Sequence, residues 1–182
     1  MNVPNALTLL RIFFVPLLVA VLVQEDVNFR VGPVVLTNEL CALAIFLTAA
    51  GTDLLDGYLA RRWKQITTVG TLLDPIADKL LISAALISMV QVKLVPAWMA
   101  ILIVGREFAV SGLRSIAAAE GYVIKANDWG KTKLVTQVIA ISLLLLSIRW
   151  PGFSPAAKGC LWVVVVTSIL SAFVLQKLLA LY

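Results

Sequence analysis

The stretch DLLDGYLARRWKQITTVGTLLDPIAD, running from Asp53 to Asp78, sets four aspartates between long apolar runs. A carboxylate at membrane depth is costly and is kept where it has a partner, so the partner points to the function. Asp53 and Asp56 are three residues apart, and Asp74 and Asp78 are four apart. On helices these spacings put each pair on one face, so two neighbouring helices bring four carboxylates together. The flanking apolar runs argue against a solvated loop and set the fold as helices that cross a membrane and carry acids at one end.

The remaining sequence agrees. With 182 residues, 61% of them hydrophobic, and a mean hydropathy of +0.99, the chain has more apolar surface than a soluble domain of this length buries. We expect an all-α integral membrane protein with a single domain over residues 1–182. The formal charge of +5 and pI near 9.5 suit basic loops against anionic lipid better than nucleic acid. Histidine is absent, which removes Ser-His-Asp triads, His-ligated zinc and phosphohistidine chemistry together. Cys41 and Cys160 stand alone in apolar runs without metal or redox spacing; two core thiols or a disulfide between them are both open.

Hydrophobic runs give six transmembrane helices, near Ala6–Val23, Glu39–Leu59, Pro75–Val92, Pro96–Ala118, Lys131–Ile148 and Ala157–Leu179. Each is close to the roughly 20 residues needed to cross about 30 Å of hydrocarbon. Gly32-Pro33, Pro96, Gly121 and Pro151-Gly152 punctuate the breaks. No small-residue cleavage site follows the first run, which is therefore read as a membrane segment rather than a signal peptide. Arg61, Arg62, Lys64, Arg114, Lys125, Lys131, Lys133 and Lys177 fall on one side, and Arg30, Lys93, Arg149 and Lys158 on the other. The positive-inside rule then puts both termini and the acid-bearing helix ends in the cytoplasm. Trp63, Trp98, Trp129, Trp150 and Trp162 fall mostly near helix ends and read as an interfacial belt.

Clustered acids repel one another and take up protons unless cations hold them ionised. Oxygen-only ligands without His or Cys select hard ions, so Mg²⁺ or Mn²⁺ is expected. Gly57, Ala60 and Gly70 let helix backbones approach and leave room for a ligand, and Arg61 is placed to face a phosphate. The plainer alternative is that Gly57 and Ala60 only pack helices and that the basic residues only set topology, a reading favoured for Arg62 and Lys64.

The pattern Asp53-x2-Asp56-Gly57-x2-Ala60-Arg61-x8-Gly70-x3-Asp74-x3-Asp78 resembles the CDP-alcohol phosphotransferase signature at every fixed position. Eight constrained positions make this specific, and the short length and six helices extend the resemblance over the chain. Asn5-x2-Thr8-x2-Arg11, Gly105-Arg106-Glu107 with Arg114, and Gly130-Lys131-x-Lys133-x3-Gln137 are similar to those members that use glycerol 3-phosphate as acceptor. The resemblance implies attack of the acceptor hydroxyl on the β-phosphorus of CDP-diacylglycerol with release of CMP, in a homodimer in the bacterial cytoplasmic membrane with its active site on the cytoplasmic side. It implies that Asp53, Asp56, Asp74 and Asp78 hold two metal ions, with Asp78 also the general base. It implies that Gly57, Ala60, Arg61 and Gly70 contact the nucleotide, with Thr8 on the nucleotide side; Arg11 lines the same side or snorkels to the interface.

For the acceptor phosphate the candidates, in order, are Arg106, Arg114, Lys125 and Lys131, because guanidinium forks suit phosphate oxygens. Glu107 either orients a basic neighbour or closes an internal ion pair with Arg106. The role of Lys79, beside Asp78, is undecided. Sibling transferases using phosphatidylglycerol or inositol phosphate share the aspartate signature. A cation transporter is the alternative from a different class, but it needs polar positions in the outer half of the helices, which the sequence does not offer.

Overall fold

The computed structural model describes residues 3–24, 29–31, 34–63, 68–119 and 129–179, and the side chains of residues 6, 8–24, 37–52, 76–77, 79–113, 115–117 and 132–171. Among the described residues there are six α-helices: α1 (Val3–Val23), α2 (Asn38–Trp63), α3 (Thr68–Gln91), α4 (Ala97–Ala119), α5 (Trp129–Arg149) and α6 (Ser154–Leu179). Between α1 and α2 lies a small antiparallel pair, β1 (Phe29–Val31) and β2 (Val34–Leu36), with Arg30 opposite Val35. The sequence reading left this pair as loop. Gly32, Pro33 and Gly121 lie outside the described residues.

Long apolar runs form helices because a helix satisfies its backbone polar groups within one segment. The segments Thr132–Arg149 and Pro151–Ser171 are long and apolar enough to cross a membrane; Thr8–Val23, Asn38–Thr52 and Lys79–Gln91 are shorter apolar stretches. One boundary moves substantially from expectation. α3 starts at Thr68 rather than Pro75, so the first aspartate of its pair sits within the helix rather than before it. α2 runs on to Trp63, so both helices extend into the segment between Arg61 and Gly70.

The connections fix how the helices slide against one another. The Asn38 side chain donates to the carbonyl of Gln24 at 2.5 Å, tying the start of α2 to the end of α1. After α3, Lys93 takes a left-handed φ of 59°. Its N–H donates to Val90 (3.1 Å), and that of Leu94 reaches back to Met89 (2.9 Å). This Schellman closure usually takes glycine. A short 3₁₀ turn, Pro151–Phe153, leads into α6.

α1 packs against α2 and α3, α5 against α6, and the α2–α5, α3–α4 and α4–α6 seams close the bundle. Ala42 and Ala49 on α2 and Ala77 and Ala85 on α3 are fully buried, and Phe46, Met89 and Ile103 fill the space around them. Small residues at such seams allow close helix approach. Large apolar side chains also line the outside, among them Phe13, Ile87, Ile101 and Ile116, as expected of a surface that faces lipid rather than water. Cys41 and Cys160 are unpaired. Trp98 and Trp162 meet at 5.7 Å between ring centroids, joining α4 to α6.

Candidate active site

Asp53, Asp56, Gly57, Ala60 and Arg61 lie on α2, and Gly70, Asp74 and Asp78 on α3. Both helices are continuous through these positions, as the three- and four-residue spacings require, and they pack against each other. The side chains of these residues lie outside the described ones, as do those of Arg114 and Lys131 and the whole of Lys125. The carboxylates have helical spacing on adjacent helices in a chain without histidine, a donor set that fits a hard divalent cation.

The helix register brings a second set of residues to the same depth. Val95 N–H bonds the carbonyl of Met89 at 3.3 Å, so these two residues are level. Counting eleven residues along α4 and eleven back along α3 sets Arg106 about level with Asp78, at about 1.5 Å per residue. From the Asn38–Gln24 contact, the same count sets Arg11 near the level of Gly51 and Thr8 near that of Leu54, about one turn or less from Asp53.

Thr8 and Arg11 are buried where α1 packs on α2 and α3. That agrees with a place for Thr8 beside the acid-bearing helices. The Arg11 side chain is fully buried within the bundle, which argues against the snorkelling alternative. Thr52, immediately before Asp53, is also buried, and its hydroxyl donates to the Ala49 carbonyl at 2.7 Å.

Around Arg106 the structure assembles a partly buried polar cluster from three helices. Arg106 Nη1 donates to Glu107 Oε1 at 3.0 Å. Lys133 of α5 donates to the same oxygen, and Gln137, one turn further along, approaches it at 3.3 Å. Arg106 Nη2 donates to the Ser171 hydroxyl on α6, while Arg106 Nε is buried without a hydrogen-bond partner among the described residues. Lys133 and Gln137 are both buried. Arg106 thus makes the ion pair with Glu107 that the sequence offered as the alternative to an acceptor role. Among the described residues, two cations share this one carboxylate.

Lys133 had been counted among the topology charges, and Lys131 was ranked for the acceptor instead. The signal in the sequence was Lys133-x3-Gln137, two polar residues at helical spacing in an apolar helix. No sequence signal separates Ser171 from the other hydroxyl residues.

These features define a helical membrane-type protein whose acidic helix pair and partly buried cationic cluster share one depth. A family model for CDP-alcohol phosphatidyltransferase matches residues 1–170. The chain is 42% identical over 180 residues to the CDP-diacylglycerol–glycerol-3-phosphate 3-phosphatidyltransferase of Bacillus subtilis, covering 94% of this chain and 92% of that protein. The Rickettsia felis protein of the same name is 32% identical over 176 residues, with 94% and 92% covered. A probable phosphatidylglycerophosphate synthase of Mycobacterium tuberculosis is 40% identical over 150 residues, with 82% and 68% covered. The chain belongs to the CDP-alcohol phosphatidyltransferase family.

Proposed function

We propose that this chain transfers the phosphatidyl group of CDP-diacylglycerol to sn-glycerol 3-phosphate, giving phosphatidylglycerophosphate and CMP. The relatives named for this reaction support it. The observation that carries it is the part-buried Arg106 beside the buried Lys133 at about the depth of Asp78, two cations sharing one carboxylate among the described residues. Such a pair suits a phosphate dianion.

In this reading Arg61, with Gly57, Ala60 and Gly70, holds the nucleotide diphosphate, and Thr8 lies on its nucleotide side. Arg106 and Lys133 hold the phosphate of the acceptor, with Arg114, Lys125 and Lys131 as further cationic candidates around it. Asp78 takes the proton from the primary hydroxyl, whose oxygen forms a bond to the β-phosphorus as the bond to CMP breaks. Asp53, Asp56, Asp74 and Asp78 hold two Mg²⁺ or Mn²⁺ ions, which when bound neutralise charge on the diphosphate. The chain spans the cytoplasmic membrane six times as a homodimer, with both termini and the acid-bearing helix ends in the cytoplasm, in keeping with the distribution of Lys and Arg.

The test is CMP release by purified protein in lipid supplied with CDP-diacylglycerol and, separately, glycerol 3-phosphate, serine, inositol 1-phosphate or phosphatidylglycerol. Product from glycerol 3-phosphate is expected. Product from another acceptor alone would transfer the chain to a sibling activity, and CMP release with none of them would overturn the reading.

A further inference from the structure

We propose that Glu107 is the positioning residue of the acceptor site, holding the like-charged Arg106 and Lys133 together as one phosphate-binding pair; this rests on the acceptor-site reading above. A single oxygen, Glu107 Oε1, accepts from Arg106 at 3.0 Å, from Gln137 at 3.3 Å and from Lys133. These donors come from α4 and α5, and the Arg106–Ser171 contact extends the tie to α6. Among the described residues two bases meet one acid, and Arg106 Nε–H is buried with no acceptor.

That orphan donor leaves one edge of Arg106 with unused hydrogen-bonding capacity. Nη1 is committed to Glu107, and Nη2 spends one of its two protons on Ser171. The remaining Nη2 proton and Nε–H form a fork of the geometry that binds two phosphate oxygens. Glu107 keeps Lys133 beside that fork, where the two cations would otherwise repel each other. Gln137, one turn from Lys133 on the same helix, fixes the carboxylate from the α5 side.

The test compares wild type, Glu107→Gln and Glu107→Asp, with glycerol 3-phosphate and CDP-diacylglycerol varied in turn and inorganic phosphate added as competitor. Loss of the charge should raise KM for glycerol 3-phosphate about tenfold or more, and the inhibition constant of phosphate in parallel, with KM for CDP-diacylglycerol changed less than about twofold. Glu107→Asp keeps the charge and should recover part of the loss. Equal changes in both Michaelis constants, or none for glycerol 3-phosphate, overturn the positioning role. Should Glu107→Gln fail to fold, Glu107→Asp is read alone: a rise confined to glycerol 3-phosphate and phosphate supports the role, and an equal or absent rise overturns it. Wild-type protein that makes no product from glycerol 3-phosphate overturns the function itself, whereas product with the two constants moving together overturns only the role of Glu107.

Discussion

Replacing Lys133 by methionine keeps the length and apolar stem of the side chain while removing its charge and its three donors. In the unliganded site Glu107 would still hold Arg106 at 3.0 Å and Gln137 at 3.3 Å. No carboxylate is orphaned, and the bundle loses little. The loss should fall on the ligand. A hydrogen bond to a charged group contributes about 1.5–3 kcal/mol. At about 1.4 kcal/mol per factor of ten, KM for glycerol 3-phosphate should rise about 10- to 150-fold. Because Lys133 binds the acceptor phosphate in ground and transition states alike, kcat at saturating acceptor should change much less. The assay is CMP release at saturating CDP-diacylglycerol with glycerol 3-phosphate varied over at least three decades. An active Lys133→Met protein with a wild-type KM for glycerol 3-phosphate would refute the assignment, and an increase in KM for CDP-diacylglycerol instead would move Lys133 to the nucleotide side.

Three further outcomes are expected. Chelation of divalent ions should abolish CMP release, with Mg²⁺ or Mn²⁺ restoring it; full activity in excess chelator would contradict the aspartate platform. Asp78→Asn should lower kcat by about 10²-fold or more, the range of general base catalysis, with the thermal midpoint in detergent little changed, and near-normal turnover would remove Asp78 as base. Phe46 is fully buried between helices, and since lipid is as apolar as the bundle interior, Phe46→Ala should cost mainly its cavity, about 2 kcal/mol for roughly 100 Å³. Unfolding titration of the two proteins measures it, and an unchanged midpoint would mean the bundle closes over the space.

The helical frame was legible because long apolar runs have few alternatives, and the helices of the described residues overlap the runs that hydropathy picked out. The start of α3 was not legible. Proline favours the first turn of a helix, so Pro75 read as a beginning, and the β-branched Thr68 and Val69 before it are weak helix formers. Their preference is overridden where backbone groups must be satisfied within the segment. Arg106 and Glu107 stood out as charges in an apolar run. Lys133 did not, because counting cations by side treats each as a loop charge and ignores the direction it faces. Ser171 carries no mark in the sequence at all. Hydroxyl residues in such helices usually bond back to their own turn, as Thr48, Ser115, Ser142 and Thr167 do here. Ser171 also does so, to Ser168 at 3.0 Å, and only the packing of α4 on α6 shows that it receives Arg106 as well.

The two polar halves of the site explain one another. Clustered acids on α2 and α3 favour bound cations, and the bases on α4 and α5 exceed their one described carboxylate, so each half suits a ligand of opposite charge. Arg106 stands about level with Asp78 because the closure at Lys93 aligns α4 with α3. In the proposed reaction those charges arrive with the reactants: metal ions and a diphosphate at the acidic half, a phosphate dianion at the basic half. Such a site gains most from ligands that bind only the folded state, so substrate should stabilise the bundle as well as react in it. The cation pair and the orphaned Nε–H of Arg106 are therefore read as binding energy held back for the acceptor, rather than as faults in packing.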